Sequence, residues 1–282
     1  MATMKNIIRN TPIVREIFSF AYRFVIALSY FKDPFGEFLL WLFRSKELAN
    51  FTYDLTDQNK HYLASMIANI TGFSYKEIEL YIDELESDEN LRNHIRESIL
   101  ASGEAHFADL DVHYGRRLGW YAFVRVLKPK TVVETGVDKG MGSCVLTAAL
   151  IKNGQEGFPG YYFGTDINPR AGYMFTGKYA DFGEILYGDS IESLMKFEKT
   201  IDLFINDSDH SADYERREYQ TIAEKLSPHA IVLGDNAHIT DKLLNFAHST
   251  GRQFVFFHEK PANHWYPGAG IGIAYQNSSN AK

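Results

Sequence analysis

The chain of 282 residues lacks the features that would place it at once. A single cysteine, Cys144, leaves no internal disulfide and no cysteine-rich metal site, and such usage suits a reducing cytoplasm. Positive charge is not in excess either. The formal net charge of −7 argues against a protein that holds nucleic acid through its overall charge. No apolar run reaches the roughly 18 residues that a membrane span needs. There is no internal repeat, no low-complexity tract, no zinc-ligand spacing and no serine-histidine-aspartate nucleophile motif.

What the chain does have is aromatic density, 15% of all residues, and it is uneven: ten aromatics fall between Phe18 and Phe43. Ile13, Val14, Ile17, Phe18, Ala21, Phe24, Val25, Leu28 and Phe31 follow the 3, 4 spacing of one helix face. Arg15, Glu16 and Arg23 interrupt the run, and Arg23 is out of place in the apolar region of a signal peptide. Asp33-Pro34 is expected to end this helix, with a second short apolar stretch from Phe35 to Phe43. Residues 1–48 carry seven Lys/Arg against four Asp/Glu. A basic, aromatic, amphipathic helix can lie in a membrane surface, so peripheral membrane contact through residues 12–44 is one expectation. Packing on the protein's own core or on a second copy is another, which makes the chain a homo-oligomer. A lid over a substrate is the third.

Residues 50–103 read as further helices. Ser74 and Glu77 have capping-box spacing, Ile78, Tyr81, Ile82 and Leu85 supply an apolar stripe, and Gly72 is placed to end the helix before. With a boundary at Gly103, the expected organisation is a helical extension over 1–103 followed by a second domain over 104–282.

From residue 104 short β-branched runs alternate with helical ones. A helix from Tyr114 to Leu127 precedes strands at 131–134, 161–166, 184–187, 201–205 and 230–233. Two more, 253–257 and 271–275, have no helix between them and predict an antiparallel closing hairpin. The fold class is α/β: a doubly wound, Rossmann-like, seven-stranded sheet with an antiparallel last strand, beside the helical extension.

Ligands of such sheets bind outside the carboxyl ends of the strands. The first strand runs into Glu134, Thr135, Gly136, then Gly140, Gly142 and Ser143, a loop whose glycines let backbone approach a ligand. The second ends in Asp166 and Ile167, and that acid is suited to ribose hydroxyls. Gly188, Asp189 and Ser190 follow the third strand, where an adenine could sit. One glycine-rich loop is a weak signal; loop, acid and Gly-Asp-Ser at successive strand ends are a stronger one.

On these residues the chain resembles the class I S-adenosylmethionine-dependent methyltransferases over roughly 104–282. Glu134-x-Gly136, Asp166-Ile-Asn-Pro169 and Leu233-Gly-Asp235-Asn236 look like the metal-dependent catechol-type and natural-product O-methyltransferases. Phe204-Ile-Asn-Asp207-Ser-Asp209-His210-Ser211 is similar to bacterial enzymes of sugar, glycolipid and antibiotic pathways. The resemblance implies that Glu134, Gly136, Gly140 and Ser143 line the methionine part of S-adenosyl-L-methionine, and that Thr135, Gly142, Ile167 and Asp207 are also cofactor-binding. It further implies that Asp166 holds the ribose and that Asp189 and Ser190 flank the adenine. Gly142 is a departure, an extra glycine before the serine.

The residues also support a metal directly. Asp207, Asp235 and Asn236 lie at the ends of the fourth and fifth strands and make an all-oxygen set suited to Mg²⁺ or another hard divalent cation. Without a metal a base is needed, and His210 and His238 stand close by in sequence. The expected activity is methylation of a hydroxyl on a small-molecule, sugar or lipid-linked acceptor. A nicotinamide-dependent oxidoreductase and a non-catalytic scaffold with this fold are the rivals.

Overall fold

The computed structural model describes residues 12–48 and 50–276. They divide into two compact units, one of residues up to 45 together with 263–267, the other of residues 46–262 and 268 onward.

The first unit is built on one helix, α1 (Pro12–Arg44). It does not stop at Asp33-Pro34 as the sequence suggested, but continues through Pro34 for ten more residues. Pro34 removes one N–H from the helical ladder, a local cost that leaves the flanking bonds intact. Phe38 and Trp41, one turn on, gain a partner in Trp265, whose ring lies edge-on to both at 5.9 and 5.3 Å. The loop 263–267 is therefore part of this unit. No described helix is long and apolar enough to cross a membrane.

The second unit holds α2 (Asp57–Thr71), α3 (Tyr75–Glu86), α4 (Glu89–Ala101), α5 (Arg117–Leu127) and the sheet with its remaining helices. The capping box forms as expected, and Gly72, at φ +77°, closes α2 in the left-handed conformation that glycine adopts without a Cβ penalty. By contacts, α2–α4 cluster with the sheet. The reason lies in α5, whose residues Leu118 to Val126 are all buried. A helix apolar all round needs cover on every side. It packs against α6 (Met141–Gln155) and against α2 and α3. Leu63, Ile67, Ile78 and Leu85 are each buried. Arg125 fastens the contact, reaching Glu84 at 2.7 Å and Glu156 at 2.6 Å.

The seven strands run β1 (Thr131–Thr135), β2 (Tyr161–Asp166), β3 (Gly183–Tyr187), β4 (Ile201–Asn206), β5 (Leu226–Gly234), β6 (Gln253–His258) and β7 (Gly270–Tyr275). Their order is β3-β2-β1-β4-β5-β7-β6. Only β7 is antiparallel to its neighbours, as expected for the last strand. Strand order reverses between β1 and β4, and the crevice at that switch point is where a ligand of such a sheet binds. Between strands run α7 (Ser190–Lys196), α8 (Ala212–Ile222) and α9 (Lys242–Ser249). Tyr219 and Ile222 of α8 pack with Phe204, Val232 and Phe246 in the core beneath the strand ends. Cys144 is buried, as its place in a helix core predicts.

If α2 belongs to the sheet unit, Ile67→Ala should lower the stability of the whole unit by about 2–5 kcal/mol. Denaturant unfolding should show one transition moved to lower midpoint. A change confined to a separate minor transition would mean that α2–α4 fold on their own.

Candidate functional site

Parallel pairing continues for one residue past several strand ends. The amides of Gly136, Gly188, Asp207 and Asp235 donate to the last or near-last carbonyls of neighbouring strands, Thr165, Asp166, Thr135 and Asn206, at 2.8–2.9 Å. Four loops thus leave the sheet side by side. Gly136 has φ +83°, and a Cβ there would fall 1.9 Å from the Asp207 carbonyl oxygen, so loop and β4 end touch backbone to backbone. Gly140, at φ +95°, turns the chain into α6. The cradle at the head of this crevice is of a kind only glycine can line.

Glu134 lies beneath the loop, 1% exposed. Tyr162 donates to it, Ser143 donates at 3.2 Å, and the two hydroxyls lie 2.7 Å apart. Burial pushes its pKa up to about 7, against the opposing effect of these donors. The extra glycine now has a reason. A Cβ on Gly142 would stand 2.1 Å from the Glu134 carboxylate and 2.9 Å from Trp120. Gly142 makes the room in which the carboxylate sits. Thr135 and Ser143 are fully buried beside it.

At the end of β2, Asp166 accepts from the amides of Asp138 at 2.9 Å and Asn168 at 2.8 Å, which ties the glycine loop to the second strand. Each carboxylate oxygen keeps a lone pair for a ligand hydroxyl. Ile167 is 77% exposed, an apolar side chain at the lip of the crevice. Asp189 caps α7 and accepts from the Tyr214 hydroxyl at 3.1 Å. Ser190 is turned inward and donates to Glu218.

Glu218 is a residue that the sequence reading passes over. The run from Asp213 to Glu218 looks like a solvated helix start, yet Glu218 is fully buried and Glu215 nearly so. Asn206 and Ser208 also donate to Glu218, the latter at 2.8 Å, so one carboxylate joins the ends of β3 and β4. Its pKa too is raised by burial, to about 7. A signal existed: positions 215, 218, 219 and 222 share one helix face, and Tyr219 and Ile222 mark that face as the inner one.

Past β4 and β5, the side chains of Asp207, His210 and Asp235 bring one ligand atom each to within 4.8 Å of one another. Asp207 has its pKa raised, by burial first and by the charge of Asp235 second. His210 Nε2 lies 3.7 Å from Asp207 and 3.2 Å from the Asn236 amide nitrogen, and Nδ1 lies 3.5 Å from Glu215. His238 is exposed and stands outside this cluster, with a pKa lowered by partial burial and by His258. Of the two histidines, the fold brings His210 to the carboxylates.

The donor types suit a hard cation, but they do not form a free cradle. Arg116, in the turn before α5, grips Asp235 with two nitrogens, Nη2 donating to Oδ2 at 2.7 Å and Nε facing Oδ1. No sequence signal points to this partner, 119 positions away.

Residues 133–237 match the model of a family described as a methyltransferase domain. Among solved structures, the chain resembles an O-methyltransferase described as putative, from Klebsiella pneumoniae (TM-score 0.54, 13% identity, 71% of this chain and 96% of that one). It also resembles the O-methyltransferase of Bacillus cereus in complex with S-adenosylhomocysteine (0.50, 13%, 71% and 100%). A third is the O-methyltransferase TomG of tomaymycin synthesis from Streptomyces achromogenes, bound to S-adenosylmethionine (0.51, 15%, 68% and 91%). At these identities the likeness is one of fold. No curated protein matches the chain.

Gly142→Ala should destabilise the sheet unit by about 1–3 kcal/mol through overpacking against Glu134 and Trp120. Thermal unfolding of Gly142→Ala, Glu134→Ala and the double variant checks this. The double variant should be more stable than the sum of the single losses predicts, and strict additivity would contradict the contact.

Proposed function

We propose that the chain is an S-adenosyl-L-methionine-dependent O-methyltransferase acting on a hydroxyl of a small-molecule acceptor, with a sugar or a lipid-linked glycan as the finer reading. The observation that carries it is the convergence at one sheet edge of the glycine cradle, Asp166 and Asp189 with the Asp207–His210–Asp235 cluster. In this reading Glu134, Thr135, Gly136, Gly140, Gly142 and Ser143 form the methionine end of the cofactor site. Asp166 receives the ribose hydroxyls, Ile167 and Asp189 border the base, and Ser190, held by Glu218, shapes the wall behind it.

The cofactor, when bound, supplies an electrophilic methyl group: the oxygen–carbon bond forms as the carbon–sulfur bond breaks, and that electron pair stays on sulfur. The chain's own work is to orient the two reactants and to take the hydroxyl proton. His210 is the residue suited to take it. The Glu215 carboxylate faces its other ring nitrogen, Nδ1, at 3.5 Å. The alternative is a divalent cation such as Mg²⁺ on Asp207, Asp235 and Asn236, which would lower the pKa of the hydroxyl. His210 is preferred because Asp235 is already paired with Arg116.

Calorimetry should show S-adenosylmethionine binding and no NAD binding; the reverse result would favour the oxidoreductase. The pH dependence follows from Glu134. Its folded pKa, about 7, lies above the ordinary 4.5, so the folded state favours the protonated form and ionisation costs stability as pH rises through 7. A positively charged cofactor favours the ionised form. Affinity should therefore fall by up to about tenfold per pH unit below 7, and Glu134→Gln should flatten the curve.

We also infer that α1 joins two copies of the chain. Ile13, Ile17, Phe31 and Phe43 are among its exposed apolar residues, the last 85% exposed. Four basic and three acidic residues leave α1 almost neutral, which suits another apolar surface better than an anionic membrane. Light scattering should give a dimer or larger assembly that Phe24→Glu dissociates. A monomer that sediments with anionic vesicles would support the membrane reading instead.

A further inference from the structure

The pairing of Arg116 with Asp235 has a chemical consequence for the proposed methyl transfer, and it rests on that reading of the site. The Arg116 side chain is 14% exposed, while Asp235 and Glu259 are fully buried. Besides its hydrogen bond to Asp235, the guanidinium lies 3.8 Å from Glu259, which accepts from the Tyr53 hydroxyl at 3.0 Å. Arg116, Asp235, Glu259 and Tyr53 make one buried network whose far end is Asp207 and His210. A guanidinium hydrogen-bonded to a buried carboxylate is a strong contact, and separating the two leaves two uncompensated charges.

A divalent cation at this place would need Asp235 oxygens that already face Nε and Nη2. It would also sit within a few ångströms of a fixed positive charge in a medium that screens poorly. We propose that Arg116 is the resident cation of the carboxylate cluster and excludes a divalent ion from Asp235. Arg116 holds the charge of Asp235 and Glu259, and His210 is left as the group that receives the acceptor's proton. An acceptor then needs one hydroxyl within reach of His210. It does not need the two vicinal oxygens that a chelated ion would take. Phenols, single alcohols and isolated sugar hydroxyls all fall within that class.

The test is titration of the full-length protein with Mn²⁺, read as loss of the free-ion electron paramagnetic resonance signal. Wild type should bind Mn²⁺ only weakly, with a dissociation constant above about 1 mM. Arg116→Gln should bind it at least about tenfold more tightly, and Asp235→Asn in that background should remove the gain. Arg116→Lys keeps the positive charge beside Asp235, so its gain should be smaller. Two results overturn the proposal: a tight wild-type site that Asp235→Asn abolishes, or an Arg116→Gln protein that is folded by circular dichroism and binds no better than wild type. The wild-type titration decides by itself if Arg116→Gln does not fold. S-adenosylmethionine affinity, measured on the same wild-type samples, separates the two readings. Its absence would remove the methyl-transfer reading and leave the Mn²⁺ comparison standing.

Discussion

Burying a carboxylate without donors costs several kcal/mol, on the scale of a whole domain's stability. The sheet unit does this repeatedly around its strand ends, and much of the local structure follows from meeting that constraint. Glu134 has Tyr162 and Ser143, Glu218 has Ser190, Asn206 and Ser208, Glu215 has Thr240, Glu259 has Tyr53, and Asp235 has Arg116. Each set joins segments distant in sequence. The carboxylates act as staples for the loops that form the crevice. Where burial outweighs the donors, as at Glu134 and Glu218, the acid is poised near neutrality.

The helical residues before the sheet serve two purposes. α2, α3 and α4 complete the core that α5 begins, because a helix buried on every face cannot stay exposed on one. The turn leading into α5 also carries Arg116, so this cover and the chemistry of the crevice share one segment. α1 is different. Many of its aromatic residues are exposed, and within its own unit the loop with Trp265 supplies ring partners for Phe38 and Trp41.

Most strands were legible because parallel strands buried on both faces leave short β-branched runs, and the glycine loop because no other residue fits its backbone. The clustering of α2–α4 with the sheet was not legible, since an amphipathic stripe shows that a helix is covered without showing by what. Pro34 was read as a stop, although one missing amide can be absorbed when the residues after it find partners. Gly142 looked like an irregularity until the Glu134 carboxylate appeared beneath it. Glu218 was hidden by its charge, which is ordinarily a mark of the surface.

Local chemistry sets what the sequence alone determined: the seven strands, their order of appearance, the flexible loop after β1, and acids after β2, β3, β4 and β5. These depend on neighbours within a few residues, through pleat, turn and steric fit. Tertiary structure decided which of those acids meet and what they meet. The pairing of Asp235 with Arg116, the choice of His210 over His238, and the burial of Glu218 depend on contacts between distant segments. Such contacts are set by how helices pack on a sheet, and no local pattern of residues encodes that packing.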